Sequence, residues 1–161
     1  MLIREERPGD ADAVYAVVSS AFGQPAEAYL VRALHAAGDA VIALVAEDEG
    51  CVVGHILLSR MAAPFPSLAL APVSVAPGRQ GTGIGSALVR EALRRATTEG
   101  SWRAAFVLGE PRYYVRFGFS VAAASGFSSP YAGNHFMGLA LSGPMPATSG
   151  ELRHSPAFSA L

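Results

Sequence analysis

Val73-Ser74-Val75-Ala76-Pro77-Gly78-Arg79-Gln80-Gly81-Thr82-Gly83-Ile84-Gly85-Ser86 joins two segments of different periodicity. Upstream, Ser67 to Val75 is β-rich, preceded by the breakers Pro64 and Pro66 and interrupted by Pro72. A proline so late in a strand marks an edge, a bulge or a place where pairing stops. Downstream, Ala87 to Glu99 is helical: Ile84, Leu88, Ala92 and Ala96 share one face, Glu91 and Arg95 stand four apart, and Gly100 ends the helix. Between them, glycines at 81, 83 and 85 leave successive backbone N–H groups uncovered at a helix N-terminus. Free amides and the helix dipole favour phosphate oxygens there, and the missing side chains allow a pyrophosphate to approach closely. Glycines in this pattern can also serve only to permit a tight strand-to-helix turn, and on spacing alone the two explanations stand level.

Two familiar phosphate-binding turns do not fit. The dinucleotide fingerprint requires its third glycine three positions after the second, and here the spacing is two. A P-loop requires a lysine, and all twelve basic residues of this chain are arginines. The same absence removes Schiff-base chemistry, including that of pyridoxal enzymes.

Working outward, Leu2 to Arg4 reads as a short strand, and Asp10 offers an N-cap to a helix carrying Val14, Val17 and Val18. A second helix, Ala26 to Ala37, sets Leu30, Val31 and Leu34 at helical spacing and stops at Gly38. Val41 to Glu47 and Cys51 to Ser59 flank the turn Asp48-Glu49-Gly50, a hairpin signal. Ala104 to Leu108 is a strand, Pro111 opens a short helix that Gly118 ends, and Phe136 to Leu141 is the last clear strand. The tail from Ser142, with Gly143, Pro144, Pro146 and Gly150, is loop-like with room for one short terminal strand. No repeat or long linker divides the chain, so residues 1–161 read as a single domain, and 51% apolar residues suffice for a core.

A net charge of −1 makes no case for nucleic acid or a membrane surface as partner. Residues 1–80 carry five arginines and nine acids, a net of −4, while residues 81–161 carry seven and four, a net of +3. That division hints at a ligand with cationic and anionic parts. Cys51 is the sole cysteine, so no internal disulfide forms, and it reads as a small buried residue in an apolar run. The charged start MLIREERPGD and the lack of a long apolar run predict a soluble cytoplasmic protein. His35, His55, His135 and His154 are scattered, no metal-ligand spacing is present, and His55 reads as a satisfied core histidine.

Gln80-Gly81-Thr82-Gly83-Ile84-Gly85, after a strand ending in Val73-Ser74-Val75 and Pro77, resembles the acyl-CoA signature of the GNAT (Gcn5-related) N-acetyltransferases. Tyr114-Val115-Arg116-Phe117-Gly118-Phe119 is similar to that family's Tyr-x-x-x-Gly-Phe segment, and the run from Leu108 to Phe119 looks like its bacterial YhbS-like branch. The resemblance covers most of the chain. It implies an α/β (α+β) GNAT fold, a mostly antiparallel mixed sheet flanked by about four helices.

It also implies roles. Val73, Ser74 and Val75 would offer backbone to the pantetheine arm of acetyl-CoA. Gln80, Gly81, Thr82, Gly83, Ile84, Gly85 and Ser86 would wrap the pyrophosphate, with Arg79 and Arg116 as added phosphate contacts. An amine acceptor near pKa ~10.4 is about 99.9% protonated at pH 7 and must lose a proton before it attacks the thioester. Either Glu27, near the two N-terminal helices, or Glu110 could take that proton, and each could equally be an ordinary solvated carboxylate. A backbone N–H near Val75 could hold the oxyanion. Tyr114 stands where the family often keeps a tyrosine that protonates the leaving sulfur; a ring packed under the cofactor is the other role open to it.

Direct transfer to a small-molecule or peptide amine in a ternary complex, without metal, is therefore expected. A non-catalytic acyl-CoA-binding sensor or assembly module is the alternative, and a nucleotide-binding α/β domain a second. Phe136 to Leu141, as an edge strand, could pair across a homodimer.

Overall fold

Successive side chains on a strand point to opposite faces, and this chain's strands are apolar on both. Leu68 and Leu70 join one buried cluster with Ile56, Leu58, Leu88, Val89 and Ala105, whereas Ala69 between them joins a second with Val14, Leu34, Leu57 and Phe106. A sheet with two apolar faces needs cover on both, and the helices supply it. A computed structural model describes residues 1–161. Its elements are β1 (Leu2–Glu5), α1 (Ala11–Phe22), α2 (Ala26–Ala36), β2 (Ala40–Asp48), β3 (Cys51–Met61), β4 (Ser67–Val75), α3 (Ile84–Glu99), β5 (Ala104–Leu108), α4 (Pro111–Tyr114), α5 (Val121–Ala124), β6 (Phe127–Ser128), β7 (Phe136–Ala140) and β8 (Gly150–Glu151). The main sheet runs β1-β2-β3-β4-β5-β7, antiparallel except where β4 lies parallel to β5. Helices α1 and α2 cover one face and α3 and α4 the other. Three long helices and two single turns flank the sheet, in keeping with the expectation of about four.

Local sequence accounts for the joints. Glu49 and Gly50 both adopt positive φ (51° and 78°), the two-residue turn whose twist matches a hairpin. Gly54 on β3 admits α3: a Cβ there would meet Ile84 Cγ2 and Leu88 Cδ1 at 3.0 Å and the Ser74 carbonyl oxygen at 3.2 Å.

Four expectations need correction or extension. Asp10 precedes α1 but does not cap it; its carboxylate accepts the Arg7 N–H (2.6 Å) and pairs with Arg4 (2.8 and 2.9 Å). A charged partner within reach outcompetes the helix amides. Cys51 is exposed, because it opens β3 at the hairpin tip, beyond the cover of the helices. The outer edge of β7 is already engaged at Gly138, which exchanges two backbone hydrogen bonds with Ser120 (3.0 Å each). The tail does contain a short strand: β8 pairs with β6, and Arg153 pairs with Ala62.

Beside β1, the Glu6 carboxylate is 9% exposed and ties three elements together. His55 Nε2 of β3 donates to Oε1 at 2.6 Å and His35 Nε2 of α2 to Oε2 at 3.0 Å. Burial alone would raise the Glu6 pKa, but the two imidazole hydrogen bonds outweigh it and bring the value down to about 2. The His35 pKa is raised, chiefly by its bond to Glu6. A lowered carboxylate stabilises the fold above its unfolded pKa of 4.5 and ceases to do so as pH falls toward 2. A raised histidine stabilises it below 6.5 and ceases to do so as pH climbs through the folded value. The cluster therefore contributes most between about pH 4.5 and 6.5. Chemical-denaturation midpoints from pH 3 to 9 are expected to peak in that window, and Glu6→Gln to remove the peak and cost about 2 kcal/mol.

Candidate active site

β4 and β5 run together for a short stretch. Ser67, Leu68 and Ala69 pair with Ala104, Ala105 and Phe106, and the pairing ends there. The cause lies in β4. Ile56 of β3 faces Val73 but Leu58 faces Leu70, so two steps along β3 match three along β4, and the excess falls at Ala71-Pro72. Proline has no N–H for the ladder, and a bulge bends and twists the strand that carries it. Beyond it, Val73 to Val75 pair only with β3, while Val107 and Leu108 of β5 pair only with β7.

A cavity of about 340 Å³ fills the gap, lined by Leu70, Ala71, Pro72 and Val73 on one side and by Phe106, Val107 and Leu108 on the other. Phe22, Glu27 and Leu30 enter it from α1 and α2, Tyr114 from α4, and Tyr131, His154, Phe158 and Leu161 from the C-terminal part of the chain.

The strand edge leads from this cavity to the glycine-rich turn. Gly81 and Gly83 adopt φ of 77° and 90° with open space where a Cβ would stand, so they are needed for conformation, not for room. Gln80 Nε2 donates to the Val75 carbonyl (3.1 Å) and Thr82 Oγ1 to the Arg79 carbonyl, closing the turn from within. None of the backbone N–H groups from Gln80 through Ser86 donates to a main-chain carbonyl. Gly83 precedes α3 without a side-chain cap, so the positive end of that helix stays free. Tyr113 lies against this end: its hydroxyl is 3.3 Å from Ser86 Oγ, and a Cβ on Gly85 would stand 3.1 Å from it.

The two arginines differ. Arg79 Nη1 is paired with Asp48 at 2.5 Å, so binding a phosphate would exchange one anion for another. Arg116 folds back over the Tyr113 ring (4.7 Å) and donates to the Tyr113 carbonyl (2.8 Å), beside the turn.

Tyr114 is 8% exposed, boxed by Tyr113 (5.0 Å, 90°) and Phe119 (5.9 Å, 83°). Its hydroxyl pKa is pushed up to about 12, first by burial and then by Tyr113. The phenol is therefore protonated at neutral pH and able to donate.

Of the two carboxylates, Glu27 lines the cavity and accepts from Gln24 Nε2 (3.1 and 3.2 Å). Glu110 is exposed and outside the lining, where its carbonyl receives the N–H groups of Tyr113 and Tyr114. Val73, Tyr114 and Glu27 thus line one cavity, Ser74 and Val75 continue β4 from it toward the Gln80–Ser86 turn, and Glu110 stands outside it.

The family model of the acetyltransferase (GNAT) family matches residues 11–119, from the start of α1 through Phe119 beside Tyr114. This chain belongs to the GNAT acetyltransferases. It is 38% identical over 127 residues to the uncharacterized N-acetyltransferase YhbS of Escherichia coli K12, across 76% of this chain and 75% of that protein. The crystal structure of E. coli YhbS in complex with CoA superposes with a TM-score of 0.90 at 30% identity, over 98% of this chain and 91% of the other. A GNAT acetyltransferase of Brucella melitensis in complex with acetyl-CoA gives 0.83 at 36% identity, over 98% and 97%.

His154 and Gly109 were not foreseen as parts of this GNAT cleft. His154 reaches the cavity from the tail, its neighbours in sequence giving no sign of it; neither ring nitrogen has a protein partner, and burial pushes its pKa down to about 4. Gly109 follows β5, where a Cβ would stand 2.5 Å from Tyr114 Cε2, so only glycine leaves that ring its place. Gly109→Ala is expected to cost about 1–3 kcal/mol through overpacking. Gly78→Ala, with open space and no positive φ, should stay within about 0.5 kcal/mol. Urea denaturation of the two variants checks the difference.

Proposed function

We propose that the protein transfers an acetyl group from acetyl-CoA to a primary amine by direct attack in a ternary complex. The parting of β4 from β5 carries this reading: the unpaired edge from Val73 to Val75 runs between the amide-rich turn and the cavity of Tyr114 and Glu27. The CoA and acetyl-CoA bound to the two similar crystal structures support the choice of cosubstrate. On this reading the pantetheine arm pairs with the β4 edge as a further strand would. The pyrophosphate takes the free amides of Gln80 to Ser86 at the α3 N-terminus, with Arg116 nearby and Arg79 available if Asp48 releases it. A reducing cytoplasm suits a chain whose lone thiol, Cys51, is exposed.

The acceptor nitrogen attacks the thioester carbonyl carbon, its proton passing to Glu27 directly or through water. Glu110, outside the cavity, could take part only through a longer water path. As the tetrahedral intermediate collapses, the C–S bond breaks and sulfur leaves with the electron pair. A phenol near 12 holds its proton more firmly than a thiol of pKa ~8.5, so complete transfer from Tyr114 is uphill. Tyr114 therefore helps by donating a hydrogen bond to the departing thiolate, which then picks up solvent protons. Such a bond to a charged group contributes about 1.5–3 kcal/mol.

Thiol release from acetyl-CoA across a panel of amines tests transfer, and calorimetry with CoA, ATP and NAD tests the cofactor. Preference for ATP or NAD, or tight CoA binding without turnover, would sink the proposal. Tyr114→Phe is expected to lower kcat by about 10- to 100-fold, with the KM for acetyl-CoA within about twofold; equal losses in both would make the tyrosine a packing residue.

A further inference from the structure

The cavity's wall is selective in a way the reaction itself does not require. Beyond Tyr114 and Tyr131, its ionisable side chains are Glu27 and His154, and no arginine reaches it. The other lining residues are aliphatic, phenylalanine or proline. The His154 ring stands edge-on between Tyr131 (4.8 Å, 78°) and Phe158 (4.9 Å, 70°), and no carboxylate pairs with it. Desolvation with no anion beside it keeps the imidazole neutral at physiological pH, so it retains a lone pair. Nδ1 is buried with no partner, and no protein group engages Nε2. A buried polar group left unpaired is costly in a packed core and understandable in a site that awaits a hydrogen-bonding ligand.

We infer that the acceptor is a primary amine carried on an uncharged apolar or aromatic body, its nitrogen received by Glu27 and His154. The inference rests on the transfer reaction proposed above. An α-amino acid would bring a carboxylate into a wall that offers Glu27 and no arginine to pair with it. A polyamine would bring further ammonium groups against apolar surface, each a charge without a partner. An arylalkylamine brings one nitrogen for the two polar groups and a ring for Phe22, Leu30 and Phe158. A long acyl chain would fit the apolar wall but would leave Glu27 and His154 unused.

Initial rates of thiol release with acetyl-CoA are to be compared for phenethylamine, spermidine and glycine, and with octanoyl-CoA in place of acetyl-CoA. Phenethylamine should exceed spermidine and glycine in kcat/KM by at least about tenfold, a difference of about 1.4 kcal/mol, and acetyl-CoA should exceed octanoyl-CoA. His154→Phe keeps a ring between Tyr131 and Phe158 but removes the lone pair. It should raise the KM for phenethylamine about tenfold or more with the KM for acetyl-CoA unchanged, and His154→Asn should recover part of the loss. Turnover led by spermidine, glycine or octanoyl-CoA leaves transfer standing and overturns this inference alone, as does an unmoved amine KM in His154→Phe. Silence with every amine while acetyl-CoA binds overturns the transfer reaction and this inference together. The rate order is read on the unaltered protein, so it decides even if a variant fails to fold.

Discussion

The cleft depends on an interrupted strand pair. A parallel pair such as β4 and β5 ordinarily continues until one strand ends, because each further residue adds backbone hydrogen bonds. Here it stops after Ala69 and Phe106 although both strands go on, since β4 carries an extra residue at Ala71-Pro72 and turns away. The unpaired groups beyond that point are a ready-made surface for an extended polar ligand, and an obligation the fold must otherwise meet with water. Everything else in the cleft follows from the parting. α3 begins where the released edge runs out, α4 brings Tyr114 in from the β5 side, and α1, α2 and the tail close the remaining wall.

The same chain places its histidines in opposite electrostatic settings. His35 and His55 meet the Glu6 carboxylate, and the exchange draws the acid down and His35 up. His154, among aromatic rings with no anion near it, is driven the other way. Burial is common to the Glu6 cluster and to His154; the presence or absence of a counter-charge sets the direction. The first arrangement ties β1, α2 and β3 together, and the second keeps a neutral acceptor on the cavity wall. Arginine is likewise spent largely on structure: Arg4 on Asp10 and Glu47, Arg79 on Asp48, Arg94 and Arg95 on Glu91. On the proposed reading, phosphate recognition at the glycine-rich turn then rests mainly on backbone amides, as befits a chain without lysine.

Features written in contiguous residues could be read before the fold. The turn from Gln80 to Ser86 combines positive φ at two glycines with a helix start, all within a few residues, and Pro72 marked an edge, a bulge or an end of pairing because a proline lacks the ladder's donor wherever it stands. Glu49-Gly50, Pro111 and Gly118 were legible for the same local reason. Asp10 misled because its choice between helix amides and the Arg4 guanidinium is settled by a residue on another element. Cys51 misled because an apolar neighbourhood in sequence says nothing about how far the covering helices extend.

The amino-acid sequence by itself determined the order of elements, the strand-turn-helix geometry and the exclusion of lysine chemistry, all consequences of backbone preference and composition. Only the tertiary structure decided which polar groups share the cavity: Glu27 was admitted, Glu110 left outside, and His154 delivered from the far end of the chain. Burial and the loss of a counter-charge depend on neighbours distant in sequence, so the protonation of Tyr114 and His154 became readable only once those neighbours were in place.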